Sequence, residues 1–589
     1  MSDCKALLRQ YNKLLNLLEI NESVTNKNMN QQIRKALHDF CDGCENPAIW
    51  CMGVHTQMLM ADFMNELKKV QFVVDQNKSN QVNTGIQIIT ENQLRECLVD
   101  GVIISSYRYR NEIKALLKEK YPNIRFLDLY DYLSRQGISL VQEYYLVTHP
   151  YKRYKQINRL QTELQAEDDV HKKSQILLNL IREYVVIKDF KSAIRYITIL
   201  CEICPSNDNE NILHFVEGIY EKELSLMQAN SAQHVLMLCI DGLRRKDVLG
   251  GKMPAFLNWL SNDTCFFQNA YSKSTSTYES LIPVYRENDD LRTEYYKNNS
   301  VSLDECRFIK HALNQERKIY FYTDTDDFIE CDQIVRSGKS QTISEKIWDF
   351  VIDANECTKG LFYLHILYES HYSYPNPYTQ TDIVADGSNI MFDFTDLKGN
   401  QLRTNYENQQ GDALRYIDDM LTPLLVRLNC RVVVYADHGN ILLSQKEDIH
   451  KMKTSKFSYD DDLIQIPMAV KSPDHERGKD NHLISLMELN QIVIDMMDEK
   501  KYTLINKNYI KVVRSQIYNP DFKYIYHICG KEQELNAFEM FIFDNHYQFI
   551  VYANGVKVLL LRDEQIMNQA MINTYYEMIK KEITVCDCD

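Results

Sequence analysis

The stretch His234-Val235-Leu236-Met237-Leu238-Cys239-Ile240-Asp241-Gly242 decides the fold class of the larger part of this chain. Residues 235–240 are apolar without interruption, which is typical of a strand buried on both faces of a parallel sheet. A second run of this kind, residues 431–436, ends on Asp437-His438-Gly439-Asn440. Parallel strands of α/β sheets hold their ligand sites at their carboxyl ends. The sequence therefore predicts an α/β domain in which Asp241, Asp437 and His438 contribute to one site.

A hydroxyl-rich segment lies between these two strands: Ser274-Thr275-Ser276-Thr277-Tyr278-Glu279-Ser280. Carboxylate and imidazole groups together suit zinc or another divalent metal. A bound metal lowers the pKa of a coordinated hydroxyl group and neutralises charge while an oxyanion is attacked. The segment alone reads as a polar loop, but with the two strand ends it predicts a metal-activated Ser or Thr nucleophile.

Composition and charge exclude some classes of function. The chain has 589 residues and a net charge of -15, so it has no surplus of Lys and Arg with which to bind nucleic acid. No apolar run reaches the roughly 18 residues of a transmembrane helix. The first residues lack the apolar core of a signal peptide, and the 16 cysteines are scattered. We therefore expect reduced thiols and a cytoplasmic protein.

Hydrophobic periodicity predicts an α/β, multidomain chain in four parts. The predicted parts are a helical lead-in with a small Rossmann-like domain, a helical spacer, the α/β domain with the site, and a β-rich subdomain: residues 1–149, 150–231, 232–504 and 505–589. The predicted strands of the third part are 234–240, 318–323, 361–367, 431–436 and 466–470. Its predicted helices include 254–261 and 406–428. The last part is predicted to be an antiparallel meander.

The first part is predicted to be a parallel, doubly wound sheet. Its predicted strands are 48–53, 70–75, 101–106 and 124–128. It resembles the small Rossmann-like domains that begin Trp-Gly-x-Gly and accompany sugar-nucleotide and surface-glycan enzymes. Gly53 is the one glycine of a dinucleotide fingerprint, and Asp75 lies where a ribose-binding acid would. Nucleotide binding and a structural or docking role both stay open. Residues 177–197 resemble one helical-hairpin unit of a tetratricopeptide array.

An ordered set of motifs in residues 232 to about 500 resembles the alkaline phosphatase superfamily, in the branch of sulfatases, phosphoethanolamine transferases and lipoteichoic acid synthases. The motifs are Ile240-Asp241-Gly242-Leu243-Arg244-Arg245-Lys246-Asp247, Met253-Pro254-Ala255-Phe256-Leu257, the hydroxyl-rich segment, Leu364-His365-Ile366-Leu367-Tyr368-Glu369-Ser370-His371 and Tyr435-Ala436-Asp437-His438-Gly439-Asn440. His450 follows at a spacing similar to that of the transferases' final metal-site histidine. The resemblance implies a mixed sheet core flanked by helices.

The resemblance also implies roles for single residues. Asp241, Asp437 and His438 would bind a first metal together with the nucleophile. Aligning residues 275–277 with the transferases' Thr-Ser-Thr makes Thr277 that nucleophile, and Thr275 is the competing candidate.

Other residues are assigned less directly. His371 and His450 would bind a second metal or the transferred phosphate, and Arg244 or Lys273 would help to hold the substrate. His365 is interpreted as a core histidine, because it lies inside an apolar strand.

A departure from the family pattern bears on the reaction. Sulfatases make formylglycine from a Cys or Ser in a Cys/Ser-x-Pro/Ala-x-Arg signature, and the residues around Thr277 lack that form. We therefore expect a soluble, metal-dependent hydrolase or transferase of phosphoesters rather than a sulfatase, with zinc favoured over manganese, magnesium and calcium.

Three readings of the function remain open. The chain could transfer phosphoethanolamine or phosphoglycerol to a surface glycan. It could also be a phosphodiesterase or phosphonate hydrolase that uses water as the acceptor. A scaffold for glycan-assembly enzymes, without catalysis, is the third reading.

Overall fold

The chain folds into two compact units, residues 15–152 and residues 1–14 with 153–589, which we describe separately. The computed structural model describes residues 2–20, 22–52, 56, 59–60, 63–75, 86–106, 109–135, 150–288, 301–323, 328–337, 341–371, 374–379, 400–440, 461–502, 508–515, 527, 530, 532–543, 547–561 and 569–584. The finer division into four parts stays a prediction.

The smaller unit contains a parallel sheet of five described strands in the order β3-β2-β1-β4-β5. The strands are β1 (Pro47–Trp50), β2 (Phe72–Val74), β3 (Gln87–Ile89), β4 (Gly101–Ile104) and β5 (Arg125–Asp128). Alternate residues point to opposite faces of a strand. Ile49, Val73 and Ile103 accordingly belong to one apolar cluster, and Ala48 and Val102 to another. Both faces of this sheet are therefore buried, as the apolar runs predicted.

Four helices precede or flank this sheet: α1 (Ser2–Leu17), α2 (Glu22–Asp42), α3 (Arg110–Lys120) and α4 (Leu129–Arg135). Most of α1 belongs to the larger unit. Gly53 lies outside the described residues. The Asp75 carboxylate accepts a hydrogen bond from the Met52 amide at 2.7 Å, so it caps the turn after β1. Nucleotide binding by this unit stays a prediction.

The larger unit includes four helices that follow one another along the chain: α5 (Pro150–Ala166), α6 (Val170–Val186), α7 (Phe190–Ile203) and α8 (Asn207–Gln228). Asp169, Asp189 and Ser206 cap the starts of α6, α7 and α8 by accepting backbone hydrogen bonds, which satisfies amide groups that a helix leaves unpaired. The buried Tyr154 of α5 donates a 2.6 Å hydrogen bond to Glu369, so these helices attach directly to the α/β core.

The core of the larger unit is a mixed sheet of eight described strands in the order β11-β9-β12-β6-β13-β14-β7-β15. These strands are β6 (Val235–Ile240), β7 (Cys265–Tyr271), β9 (Lys318–Tyr322), β11 (Ile334–Ser337), β12 (Gly360–Ile366), β13 (Arg431–Tyr435), β14 (Met468–Lys471) and β15 (Gly478–Ser485). A separate short pair consists of β8 (Val301–Ser302) and β10 (Ile329–Glu330). β6 lies between the parallel neighbours β12 and β13, whereas β14 runs antiparallel to β13 and β7. The predicted mixed sheet is confirmed.

Helices surround this sheet. They are α9 (Arg245–Leu249), α10 (Pro254–Asp263), α11 (Thr277–Arg286), α12 (Arg307–Asn314), α13 (Ile343–Glu356), α14 (Asn400–Arg427), α15 (Asp461–Ile464) and α16 (Leu489–Met497). Short 3-10 turns cover Glu91–Gln93, Leu486–Glu488 and Glu532–Leu535. No helix of the described part of the chain has both the length and the apolarity to cross a membrane.

An antiparallel meander closes the described chain, as predicted. Its strands are β16 (Tyr509–Arg514), β17 (Phe538–Phe543), β18 (Tyr547–Tyr552) and β19 (Lys557–Leu561), and helix α17 (Gln569–Ile579) follows. Aromatic residues of the strands and of α17 share one apolar cluster, with Phe543 and Tyr575 at 4.5 Å between ring centroids. β16 was not predicted, and its backbone contacts the segment before α11.

Candidate metal centre and nucleophile

Two carboxylates lie at the same level of the core sheet because their strands are in register. β6 and β13 are parallel neighbours in which Cys239 pairs with Tyr435. Two residues further along each strand direction are Asp241 and Asp437, both fully buried. The sequence prediction that these two acids meet at one sheet edge is therefore the geometry observed.

Thr277 is the first residue of α11, and its side chain reaches this pair. Its Oγ1 donates a hydrogen bond to Asp241 Oδ2 at 3.1 Å and lies 3.2 Å from His438 Nε2. One ligand atom each of Asp241, Asp437 and His438 lies within 4.8 Å of the other two. Among the described residues, these three form the one group of His, Cys, Asp or Glu side chains whose ligand atoms lie close enough together to hold a metal ion.

The donor set fits a divalent cation because two of its oxygens lack a hydrogen-bond donor among the described residues, although Asp437 Oδ2 lies 3.3 Å from His438 Nε2. Asp241 Oδ1 and Asp437 Oδ2 are buried, and none of the described residues donates a hydrogen bond to either. A buried carboxylate oxygen without a hydrogen bond is costly unless a cation compensates it. Two carboxylates with one imidazole match the ligands of zinc and of harder divalent ions.

The electrostatics of the pair show the same need for positive charge. Burial raises the pKa of Asp241, but the contact with His365 and the charges of His371 and His438 outweigh it and lower that pKa below its ordinary value. Burial and the neighbouring Asp241 raise the pKa of Asp437. Burial lowers the pKa of His438, but the two aspartates outweigh burial and raise it. Like charges at this distance resist joint ionisation unless a cation lies between them.

Two glycines allow the backbone to approach the pair. Gly242 has a φ of +63°, and its amide donates to Asp437 Oδ1 at 3.0 Å. The His438 amide donates to the same oxygen at 2.9 Å, which fixes the Asp437 rotamer. A Cβ on Gly439 would lie 1.8 Å from the Asp462 carbonyl oxygen, so this position excludes any side chain.

His365 is a site residue that sequence reasoning interpreted only as core. It is 1% exposed, as that interpretation expected, but its Nε2 lies 3.4 Å from Asp241 Oδ2 and its Nδ1 lies 3.2 Å from Thr323 Oγ1. Metal-binding carboxylates are commonly oriented by such outer partners. The available signal was its position one residue before the end of β12, the parallel neighbour of β6.

Three other residues were predicted to belong to the site: His371, His450 and Thr275. His371 is half-buried and close enough to Asp241 for its charge to affect that carboxyl group. His450 lies outside the described residues. Thr275 is half-buried, and it is the Oγ1 of Thr277, not of Thr275, that contacts Asp241.

The two predicted substrate-binding cations are both buried. Arg244 donates to both Asp247 oxygens, at 2.6 and 2.8 Å. Lys273 Nζ donates a hydrogen bond to the carbonyl oxygen of Lys511 at 3.3 Å, and Lys511 belongs to β16. Their roles in substrate binding stay predictions.

Comparison with known protein families agrees with this geometry. Residues 233–499 match the model of the family described as Sulfatase. By this match, residues 233–499 form a sulfatase-family domain. Residues 44–125, which contain strands β1 to β4 of the smaller unit, match a family described as C2185-like, N-terminal. A search of curated proteins gives no match to the chain.

Several solved structures are similar to part of this chain. A phosphonate monoester hydrolase from Silicibacter pomeroyi has 12% identity, covers 59% of this chain and 94% of its own, and gives a TM-score of 0.43. The C-terminal periplasmic domain of EcEptC from Escherichia coli, in complex with Zn, has 14% identity, 46% and 83% coverage, and a TM-score of 0.33. A 2-O GAG sulfatase has 13% identity, 59% and 90% coverage, and a TM-score of 0.41. These values are too low to transfer the role of any residue to this chain.

Proposed function

We propose that the sulfatase-family domain is a metal-dependent hydrolase or transferase of phosphoesters in which Thr277 is the nucleophile. The observation that carries the proposal is the position of Thr277 Oγ1, 3.1 Å from Asp241 Oδ2 and 3.2 Å from His438 Nε2. A hydroxyl group in contact with the buried Asp241 and with His438 is in a suitable position for a nucleophile activated by a metal that these residues bind.

Asp241, Asp437 and His438 would hold the cation, with Thr277 beside them. A divalent ion bound there supplies Lewis acidity, which lowers the pKa of the Thr277 hydroxyl and offsets the charge of the phosphoryl oxygens. Zinc suits the mixed oxygen and nitrogen donors, and manganese, magnesium and calcium are alternatives with the same oxygen donors.

The reaction would proceed by two displacements at phosphorus. Thr277 Oγ1 forms a bond to phosphorus while the bond to the leaving oxygen breaks, and the Thr277 hydroxyl proton, held by Asp241 Oδ2, ends on that oxygen through solvent. Water or an acceptor hydroxyl then attacks the phosphothreonine, its proton passes to Thr277 Oγ1, and the free hydroxyl group is restored. The oxygen and phosphorus atoms balance without any redox step.

The start of α11 supports negative charge at Thr277. The nucleophile is the first helical residue after Ser276, and the helix is ten residues long. Unpaired amides and the helix dipole at such a terminus favour an anionic group. His371, whose charge lowers the pKa of Asp241, would contact the transferred phosphoryl group or a second metal.

A phosphoester substrate is favoured over a sulfate ester by the identity of the nucleophile. Formylglycine is an aldehyde and forms only from a side chain with an unbranched Cβ. Thr277 carries a methyl group on Cβ, so its oxidation would give a ketone. Counted from Thr277, the Pro/Ala position of the signature is Glu279 and its arginine position is Leu281. A threonine oxygen displaces at phosphorus without modification.

The acceptor separates the two enzymatic readings. Transfer of phosphoethanolamine or phosphoglycerol to a glycan requires a hydroxyl acceptor, whereas phosphodiester or phosphonate hydrolysis requires water. Transfer to a glycan is supported by the family resemblance and by the smaller unit's likeness to domains of glycan enzymes. It has no support beyond this association. The cytoplasmic location expected from sequence stays a prediction.

Turnover of a bis-aryl phosphodiester by zinc-loaded protein tests the proposal. An aryl phosphomonoester, an aryl phosphonate and an aryl sulfate are assayed beside it, with Thr277→Ala and, as the matched control, Thr275→Ala. We expect phosphoester turnover that chelation abolishes, that Thr277→Ala lowers at least about 1,000-fold and that Thr275→Ala lowers less than about tenfold. Sulfate turnover that exceeds phosphoester turnover would overturn the substrate assignment. Equal loss in both variants would overturn the assignment of the nucleophile.

A further inference from the structure

Glu279 is a buried carboxylate two residues after the nucleophile, on the same helix. It is 2% exposed. Its Oε2 accepts hydrogen bonds from Ser274 Oγ at 2.9 Å and from the Ser515 amide at 3.3 Å, and its Oε1 accepts a hydrogen bond from Ser515 Oγ. Within the described residues, no lysine, arginine or histidine forms an ion pair with it. Its charge is therefore held by hydroxyl and amide donors from two separate segments.

Both segments bear on the position of Thr277. Ser274 lies in the connection between β7 and α11, and Ser515 directly follows β16 of the C-terminal meander. The backbone of the same connection is tied to β16 a second time, because the Val513 amide donates to the Lys273 carbonyl at 2.9 Å. The Ser274 amide also donates to Ser280 Oγ at 3.1 Å. The segment before α11 is thus fixed from both sides.

Helix geometry places Thr277 and Glu279 on different faces. Successive residues of an α-helix are about 100° apart, so side chains at positions i and i+2 are separated by about 200°. Thr277 accordingly contacts Asp241, and Glu279 contacts Ser515. The first turn of α11 is held between the carboxylate pair on one side and the C-terminal meander on the other.

We propose that Glu279 is a positioning residue for the nucleophile, and that its contact with Ser515 uses the end of β16 to hold the first turn of α11 in place. This inference rests on the proposed role of Thr277. A nucleophile displaced by about 1 Å loses on the order of 100-fold in rate, so the carboxylate needs only to prevent a small rotation of the first helical turn. Glu279 has no contact with the metal-binding atoms and acts only through the backbone.

The test compares Glu279→Gln and Ser515→Ala with Glu539→Gln, all in full-length, zinc-loaded protein. Glu539 is a matched control, because it is a fully buried carboxylate of the same meander that accepts hydrogen bonds from Thr584 and Lys511. In Glu279→Gln one acceptor oxygen is replaced by an NH₂ group, which faces the donors of Ser274 or Ser515 and cannot accept their hydrogen bonds. We therefore expect kcat for the phosphodiester to fall roughly 10- to 100-fold, with KM changed less than about threefold. Ser515→Ala should lower kcat by about three- to tenfold, and the double variant should be no slower than Glu279→Gln alone, because both changes act on one contact.

Amide hydrogen exchange of residues 272–286 supplies a second readout that does not depend on turnover. We expect faster exchange in Glu279→Gln than in wild type, and unchanged exchange in Glu539→Gln. Wild-type kcat together with wild-type exchange in Glu279→Gln would overturn the inference, as would an equal loss of kcat in Glu539→Gln. Absence of all ester turnover in the wild type would count against the proposed function, and faster exchange in Glu279→Gln would still support the fixing of this segment by the meander.

Discussion

The carboxylates of Asp241 and Asp437 lie side by side in a fully buried site. Burial and Asp241 raise the pKa of Asp437, because two negative charges oppose each other there. A cation bound by the pair would remove this repulsion, and it would stabilise the protein because the pair is assembled only in the folded chain. Metal binding at this pair would then be measurable as a change in stability.

Replacement of Asp437 by Asn should separate the repulsion between the two carboxylates from the stabilisation by a bound cation. We expect Asp437→Asn to melt at or above the wild-type temperature without metal, since one of the two like charges is gone. With saturating zinc the wild type should melt at least several degrees higher than without it, and the variant should gain little. Thermal melts with zinc and with chelator measure this, and the exposed Asp208→Asn serves as control. A zinc-induced shift of wild-type size in Asp437→Asn would contradict the assignment of the metal ligand.

His365 orients Asp241 through a 3.4 Å contact while Thr323 contacts its other ring nitrogen. Loss of such an outer partner typically lowers metal affinity or activity about 10- to 100-fold. We expect His365→Gln to show a loss in this range by zinc titration. His311→Gln is the matched control, because His311 also pairs with an aspartate, Asp498 at 2.7 Å, but lies outside the site. Equal zinc affinity of the two variants would show that His365 is only a core residue.

At the scale of elements, the end of β13 meets the segment Asp461–Ile464 so closely that Gly439 admits no side chain. We expect Gly439→Ala to lower stability by at least about 2 kcal/mol, because backbone atoms of Asp462 would have to move. Gly411→Ala is the control: Gly411 lies inside α14 with nothing within 4 Å of its Cβ position, so alanine should stabilise by roughly 0.5–1 kcal/mol. Chemical denaturation measures both values, and a Gly439→Ala variant as stable as wild type would contradict the close approach.

The sequence predicted the strands that contain continuous apolar runs and missed several strands that do not. Every residue of β6 and β13 is buried, and both strands are continuous apolar runs apart from Arg431 at the start of β13, so their positions followed from composition. β15 alternates exposed and half-buried residues such as Lys479 and Asp480, and β7 contains Gln268 and Asn269, so neither shows an apolar run. β16 also contains Lys511 and Arg514 within its apolar residues.

The candidate site divides in the same way. Asp241, Asp437 and His438 were predictable because each follows a buried strand or a family motif, and Thr277 because of the family motif. Two contacts were not predictable, because each joins residues that are distant in the sequence. They are the contact of His365 with Asp241 and the contact of Glu279 with Ser515. The register of β12 on β6 and the packing of β16 against the segment before α11 exist only in the folded chain.

At the scale of the larger unit, the buried Glu223 in helix α8 makes the free energy of unfolding depend on pH. Glu223 of α8 is 4% exposed, and burial together with the neighbouring Asp189 raises its pKa to about 8. Its pKa in the unfolded chain is about 4.3. Above that pH the unfolded chain loses the proton while the folded chain retains it, so the free energy of unfolding falls as pH rises from about 4.3 to 8.

Glu223→Gln should remove this contribution, because glutamine stays neutral. We expect the variant to melt at the wild-type temperature at about pH 4.5 and above it at about pH 8. Glu221→Gln, an exposed position of the same helix, should show no difference at either pH. A Glu223→Gln variant that tracks the wild type at both pH values would contradict the raised pKa.

A phosphoryl group covalently attached to one side chain would identify the nucleophile of this protein directly. The zinc-loaded protein is mixed with a bis-aryl phosphodiester, quenched in acid during turnover, digested, and the mass of the peptide that contains residues 272–286 is measured. We predict that an aryl phosphoryl or phosphoryl group is attached to Thr277, and that it is absent in Thr277→Ala. Attachment to Thr275, or steady turnover with no modified residue, would contradict the assignment of Thr277 as the nucleophile.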